Sequence, residues 1–136
     1  MADIILTLLF EQKKREFRTQ GQGSDRFRAD FLEAVNRSGR RINVDADLAT
    51  RITQVNSVEG TVALDEAYEH VLSNLVTINL IHMGQKPSPG TDIDYQQLVR
   101  QLPEQIDSIR QDKINVAQEA DTDDETDFIG LGALGG

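Results

Sequence analysis

The chain has 136 residues, of which 38% are hydrophobic and 5% aromatic, enough for one small domain with an Ile, Leu and Val core and a tail. It contains no cysteine, which excludes disulfides and thiolate metal sites, and its formal net charge is −9. The apolar start at residues 4–10 is short and lacks a basic flank, so we expect neither a signal peptide nor a membrane span.

The charge is unevenly distributed along the chain. Residues 11–41 hold nine basic and five acidic residues, a net of +4, whereas the residues after 41 hold five basic and seventeen acidic ones. An acidic surface disfavours tight DNA binding, because affinity for DNA rests on neutralising phosphates. The basic third is instead suited to an acidic partner, or to an acidic region of a neighbouring copy.

Two helices are predicted in the first third, at residues 3–17 and 26–41, separated by a glycine-containing loop. Apolar residues at helical spacing define the inward face of the first, Ile4, Ile5, Leu8, Leu9 and Phe17. Those of the second are Phe27, Phe31, Leu32 and Val35, with Ser24 or Asp25 as the N-terminal cap and Gly39 weakening the last turn.

Residues 50–55 and 60–64 both alternate and are rich in β-branched side chains, with turn residues between them. This pattern predicts a β-hairpin whose buried face combines Ile52 with Val62 or Leu64. A lone hairpin is marginally stable, so it should lie on the helices or join a neighbour's sheet.

Two further helices are predicted, at residues 66–83 and 92–118. Asp65 caps the first of them, which is apolar nearly all round and therefore belongs at the centre of the domain. Gly84 marks its end. The last helix carries a near-heptad apolar stripe, and Pro103 within it should kink or split it.

The C-terminal segment, residues 119–136, is acidic at first and then alternates glycine with apolar side chains. Alone it buries too little apolar surface to offset the entropy of ordering, so we interpret it as an extended arm that docks on a partner. A frayed chain end is the plainer interpretation. The expected partner-binding anchors are Phe128, Ile129, Leu131 and Leu134.

No residue set predicts catalysis. His70 and His82 are twelve residues apart on one helix, about 18 Å along its axis, so they cannot share a metal ion. Asp45 and Asp47 lack the glycine and the terminal glutamate of a calcium loop. We therefore expect no enzymatic activity, cofactor or metal.

Three arginines, Arg37, Arg40 and Arg41, leave two interpretations open. They could contact phosphate or the acidic surface of a neighbouring subunit. The plainer interpretation, which we favour, is a basic helix end that complements the helix dipole and pairs with acidic neighbours.

The sequence thus predicts a mainly α fold: a small bundle of about four helices over residues 1–118, with one β-hairpin at about 50–64, followed by the arm at 119–136.

Within this frame, residues 47–87 resemble the head-to-tail adaptor (connector, or head-completion) proteins of tailed bacteriophages. The resemblance rests on the strand at Arg51 to Val55, the Leu64-Asp-Glu-Ala-Tyr68 motif and the buried helix from Val71 to Gly84. It implies a structural protein of the virion, made in the host cytoplasm and placed at the head–tail junction.

Such adaptors form an oligomeric ring, commonly of twelve copies, that binds the portal protein and the tail or further connector proteins. DNA passes through the channel at ejection without specific binding, and no membrane is involved. The resemblance therefore implies portal binding and contacts between neighbouring copies. Two alternatives remain: a soluble helical protein-binding module, such as a chaperone or regulator, and a small DNA-packaging factor.

Overall fold

The computed structural model describes residues 3–19, 24–48 and 51–125, of which 24 and 113–125 are described by their backbone alone. It has four α-helices and a two-stranded antiparallel sheet, so the mainly helical class predicted from the sequence is confirmed. In chain order the elements are β1 (Asp3–Ile5), α1 (Leu6–Glu16), α2 (Ser24–Asp45), β2 (Thr61–Asp65), a 3-10 turn (Glu66–Tyr68), α3 (Glu69–His82) and α4 (Tyr95–Glu125).

Helix α3 lies at the centre of the domain, as its apolar composition predicts. It packs against both α2 and α4. Asp65 caps the turn before it by accepting a hydrogen bond from the Ala67 N–H, and Gly84 follows its end with a φ of 93°. Its buried residues are Val71, Leu72, Leu75, Val76, Thr77, Ile78 and Leu80.

The first helix begins later than predicted, because residues 3–5 form a strand. Ile4 pairs with Val62 and Ile5 with Thr61, and the Leu6 N–H donates to the Gly60 carbonyl where the helix starts. Two residues assigned to the buried face are consequently solvent-facing: Ile5 is 52% and Leu8 66% exposed. A β-branched pair within reach of an antiparallel partner overrides the short helical pattern.

The predicted hairpin is wrong in its first strand. Residues 61–65 form the second strand as expected, but β1 is their partner and residues 51–57 belong to no strand. Instead, the side-chain amides of two asparagines of α2 form hydrogen bonds with the backbone of that segment. The Asn43 amide donates to the Ile52 carbonyl at 2.9 Å and accepts from its N–H at 2.7 Å. Asn36 pairs in the same way with Val55, at 3.0 and 2.8 Å.

Gly39 also has a role different from the one predicted. Helix α2 extends to Asp45, so Gly39 lies in its interior rather than in its last turn. A Cβ at this position would come within 3.0 Å of the Ile52 Cγ2, so glycine permits the close approach of α2 and the segment that the asparagines hold.

Helix α4 is continuous through Pro103, so the predicted split does not occur. Proline removes the hydrogen bond to the Val99 carbonyl, and this turn is solvent-exposed, where water can replace the lost partner. The helix also extends beyond residue 118, so the first part of the predicted arm, residues 119–125, is helical. Leu102, Ile106 and Ile109 form its buried stripe.

None of the helices in the described part of the chain is long and apolar enough to cross a membrane.

Candidate interaction surfaces

Arg37, Arg40 and Arg41 lie on the exposed face of α2, and each forms an ion pair with an acidic residue of the same helix. Arg37 and Arg40 pair with Glu33 at 2.9 and 3.5 Å, and Arg41 pairs with Asp45 at 3.2 Å. The predicted pairing with acidic neighbours is confirmed, but these arginines do not form the end of α2. Exposed pairs of this kind stabilise a helix by at most about 1 kcal/mol, so they are readily exchanged for a partner's carboxylates.

A cleft of about 220 Å³ lies beside Arg40, between α2 and the segment that the asparagines hold. It contains one cation and no histidine or carboxylate, so it lacks a group for acid–base chemistry. Its lining residues are Val35, Asn36, Gly39, Arg40, Ile52, Thr53 and Gln54.

A second basic surface lies where α1 ends and α2 begins. The Lys14 Nζ and the Arg28 guanidinium lie 5.1 and 5.9 Å from the centre of the Phe10 ring. The Arg18 N–H donates to the Lys86 carbonyl at 2.8 Å, which brings two more cationic residues to this region. We name this surface, comprising Lys14, Arg18, Arg28 and Lys86, the basic end.

The basic end lies beside the C-terminal end of α3. A hydrogen bond of 2.7 Å from the Gln85 amide to Asp30 places the first turns of α2 next to the residues that follow α3. A bridge between Phe17 and Pro87 places the end of α1 there too. The excess of positive charge in residues 11–41 predicted a basic region, but only the fold brings Lys86 into it.

Helix α4 leaves the domain at the opposite end of α3. Its start lies near His82, whose Nε2 is 2.7 Å from the Tyr95 hydroxyl, and its Asp112 accepts a hydrogen bond from the Tyr68 hydroxyl at the start of α3. The thirteen residues after Asp112 continue the helical backbone for about 20 Å, to Glu125. We name residues 119–125 the acidic helix end, since five of these seven residues are Asp or Glu.

A buried lysine joins α1 to α3. Lys13 is 2% exposed, and its Nζ donates to Glu16 Oε1, Ser73 Oγ and Thr77 Oγ1 at 2.8, 2.8 and 2.9 Å. Burial lowers the pKa of Lys13, although its hydrogen bond to Glu16 and the nearby carboxylates oppose this shift. All three ammonium protons are bonded, so Lys13 is suited to holding the two helices together.

The sequence analysis missed Lys13, but a signal for it was present. The residue lies four positions after Leu9 and four before Phe17, on the buried stripe of α1. Its partners, Ser73 and Thr77, are likewise four residues apart on the otherwise apolar helix α3.

The two histidines are exposed and lie far apart on α3. His70 shares a shallow depression with Gln101, Glu104, Gln105 and Ser108, but no hydrogen bond joins His70, Glu104 and Ser108 into a nucleophile–base pair. Across residues 3–19, 25–48 and 51–112, whose side chains are described, no three His, Cys, Asp or Glu side chains are grouped to hold a metal ion. The predicted anchors Phe128, Ile129, Leu131 and Leu134 lie outside the described residues.

The hydrogen bond between Tyr68 and Asp112 makes a testable prediction about titration. Partial burial, followed by this hydrogen bond and the charge of Asp112, raises the pKa of Tyr68 to about 12. The ordinary pKa is 10.0, so above this pH the folded state retains a proton that the unfolded chain releases. The free energy of unfolding therefore falls as the pH rises from about 10 through about 12. In a Tyr95→Phe background, where Tyr68 is the only tyrosine, Asp112→Asn should lower the midpoint of tyrosinate absorbance. An unchanged midpoint would contradict the assigned contact.

Comparison with known proteins yields no match to a family model, to a curated protein or to a solved structure.

Proposed function

We propose that this chain is a structural virion protein: a ring-forming head-to-tail adaptor that docks on the portal and connects it to the tail around a DNA channel. Support from the sequence comes from the resemblance of residues 47–87 to such adaptors. In this proposal the protein acts at the head–tail junction and has no enzymatic activity.

The observation that carries the proposal is the length of α4. Among the residues of α4 whose side chains are described, the last buried one is Ile109 and the last one bonded near the start of α3 is Asp112, and the helical backbone continues to Glu125. The thirteen helical residues after Asp112, about 20 Å of helix, depend on packing against another surface, because most helical stability in proteins comes from packing. A partner surface supplies that packing, and the expected anchors at 128–134 follow directly.

The charge of the chain agrees with a channel through which DNA passes. The formal net charge is −9, and negative walls repel phosphates rather than bind them. The small DNA-packaging factor makes the opposite prediction, since its affinity for DNA should fall steeply as salt is added.

The proposal predicts that deletion of residues 120–136 leaves a folded domain that no longer assembles. The deletion leaves every described buried residue in place, so the thermal midpoint should change by only a few degrees. Binding is measured by co-sedimentation with DNA-filled capsids that carry the portal protein but lack this chain. The full chain should sediment with them, whereas the truncated chain should remain in the supernatant.

A second variant separates the anchors from the acidic helix end. Replacement of Phe128, Ile129, Leu131 and Leu134 by serine keeps the full length and every charge, and each buried apolar side chain contributes roughly 1.5–3 kcal/mol. This variant should also fail to sediment with the particles. A truncated chain that unfolds, or one that still binds the particles, would contradict the arm as the docking element.

A further inference from the structure

We infer that the acidic helix end of one copy docks on the basic end of the next, so that copies of this chain associate head to tail. The placement of this contact within a ring rests on the proposed function. The contact itself concerns the chain alone and can be tested without any virion component.

The two charged surfaces lie at opposite ends of one molecule. The basic end lies beside the C-terminal end of α3, and α4 leaves the domain at the N-terminal end. Helix α3 has fourteen residues, about 20 Å of helix, and α4 extends about 20 Å farther in the direction away from the basic end. The acidic helix end therefore cannot reach the basic end of its own molecule, so a contact between these two surfaces has to join two copies.

The acidic helix end carries negative charge that no nearby cation in the sequence balances. No lysine or arginine follows Lys113 in the sequence, so this part of α4 has no cation of its own for its carboxylates. Asp121 lies three and four residues before Asp124 and Glu125, a spacing at which like charges destabilise a helix. Carboxylates at a helix C-terminus also oppose the helix dipole. A cationic surface docked on these residues relieves both effects.

The basic end has the charge to meet it. Within the described part of the chain, Arg28 contacts only the Phe10 ring among charged or aromatic groups, and Lys86 forms no ion pair. The Lys14 ammonium pairs with Glu11 at 3.2 Å, but both side chains are more than two-fifths exposed, so that pair is easily exchanged. The neighbouring carboxylates of Glu16 and Asp30 are already engaged by Lys13 and Gln85.

A contact between two different surfaces has a consequence for the assembly. Such heterologous contacts repeat from copy to copy and close into a ring when the rotation permits, or continue as a filament when it does not. Because the contact joins exposed charges, it should weaken as salt is added, since the Debye length falls below contact range at about 1 M.

The test uses two charge-reversed full-length chains. Lys14→Glu/Arg28→Glu/Lys86→Glu changes the basic end from +4 to −2, so both ends are acidic, and Asp121→Lys/Asp123→Lys/Asp124→Lys changes the acidic helix end from −5 to +1, so both ends are basic. Sedimentation velocity should show that the wild-type chain associates at about 0.05 M salt and that each variant alone associates at least about tenfold more weakly. An equimolar mixture of the two variants should associate again, because every acidic surface then meets a basic one.

Restored association in the mixture also demonstrates that both variants are folded. The control Arg51→Glu/Arg100→Glu/Arg110→Glu changes the net charge by −6, as Lys14→Glu/Arg28→Glu/Lys86→Glu does, at exposed positions outside the basic end, and it should associate like the wild type. A wild-type chain that remains monomeric at low salt, a mixture that does not associate, or a control that fails as the variants do would overturn the inference. A wild-type chain that self-associates as expected but does not bind portal-bearing particles would contradict the proposed function and leave this inference standing.

Discussion

Leu72→Asp should unfold the domain. Leu72 is fully buried on α3, the helix that packs against both α2 and α4. A carboxylate there has no described cation to pair with, and an unpaired buried charge costs several kcal/mol. Since a small domain has about 5–15 kcal/mol of total stability, we expect the cooperative transition to be lost or moved far toward zero denaturant.

Circular dichroism during urea unfolding measures this effect. Leu75→Asp, at 1% exposure, should behave in the same way, whereas Leu72→Ala should cost only about 2–5 kcal/mol and leave a folded protein. His70→Asp places the same charge on an exposed position of the same helix and is the matched control. A cooperatively folded Leu72→Asp variant with near-normal stability would show that α3 is not the centre of the core.

Asn43→Ala should have the second-largest effect. It removes both hydrogen bonds to Ile52, whose backbone N–H and carbonyl have no described partner apart from this amide. A buried polar group left unpaired costs about 1–3 kcal/mol, so the loss of both partners should lower the free energy of unfolding by about 2–6 kcal/mol. Urea unfolding gives this difference.

Asn36→Ala is the matched control, because Asn36 makes the same two bonds to Val55 in a partly exposed position. Water can replace the lost amide there, so the cost should be closer to about 1 kcal/mol. Hydrogen exchange adds an independent reading, since the Ile52 and Val55 amides should be protected in the wild type and each should lose protection in its own variant. Equal, negligible losses in both variants would indicate that the segment is held by apolar contacts alone.

The segments that form helices could be predicted, because the spacing of apolar residues within each segment indicates a helix. In α2, Phe27, Phe31 and Val35 are spaced about one helical turn apart, and all three are buried. Helix α3 is apolar over most of its circumference. The ends of the helices were less accurate, since α2 extends four residues and α4 seven residues beyond the predicted limits.

The errors arose from contacts between residues distant in sequence. The partner of β2 is β1, more than fifty residues earlier, and a three-residue strand carries no periodicity of its own. The strand-like residues 51–55 satisfy their backbone through Asn36 and Asn43, and no local pattern distinguishes such an asparagine from a surface one. The pairing of the three arginines of α2 with acidic neighbours was predicted correctly. The basic end depends on a loop–helix contact that brings in Lys86 and could not be read from the sequence.

The central claim is tested most directly by counting copies of this chain on portal-bearing particles. Purified full chain is mixed in excess with DNA-filled capsids that carry the portal, and separately with capsids that lack it, and the bound mass is measured by light scattering. The account predicts a fixed number of copies per portal, twelve if the ring is like that of the adaptors it resembles, and none on capsids without a portal. A chain that ignores both particles, or binds both equally, would contradict it.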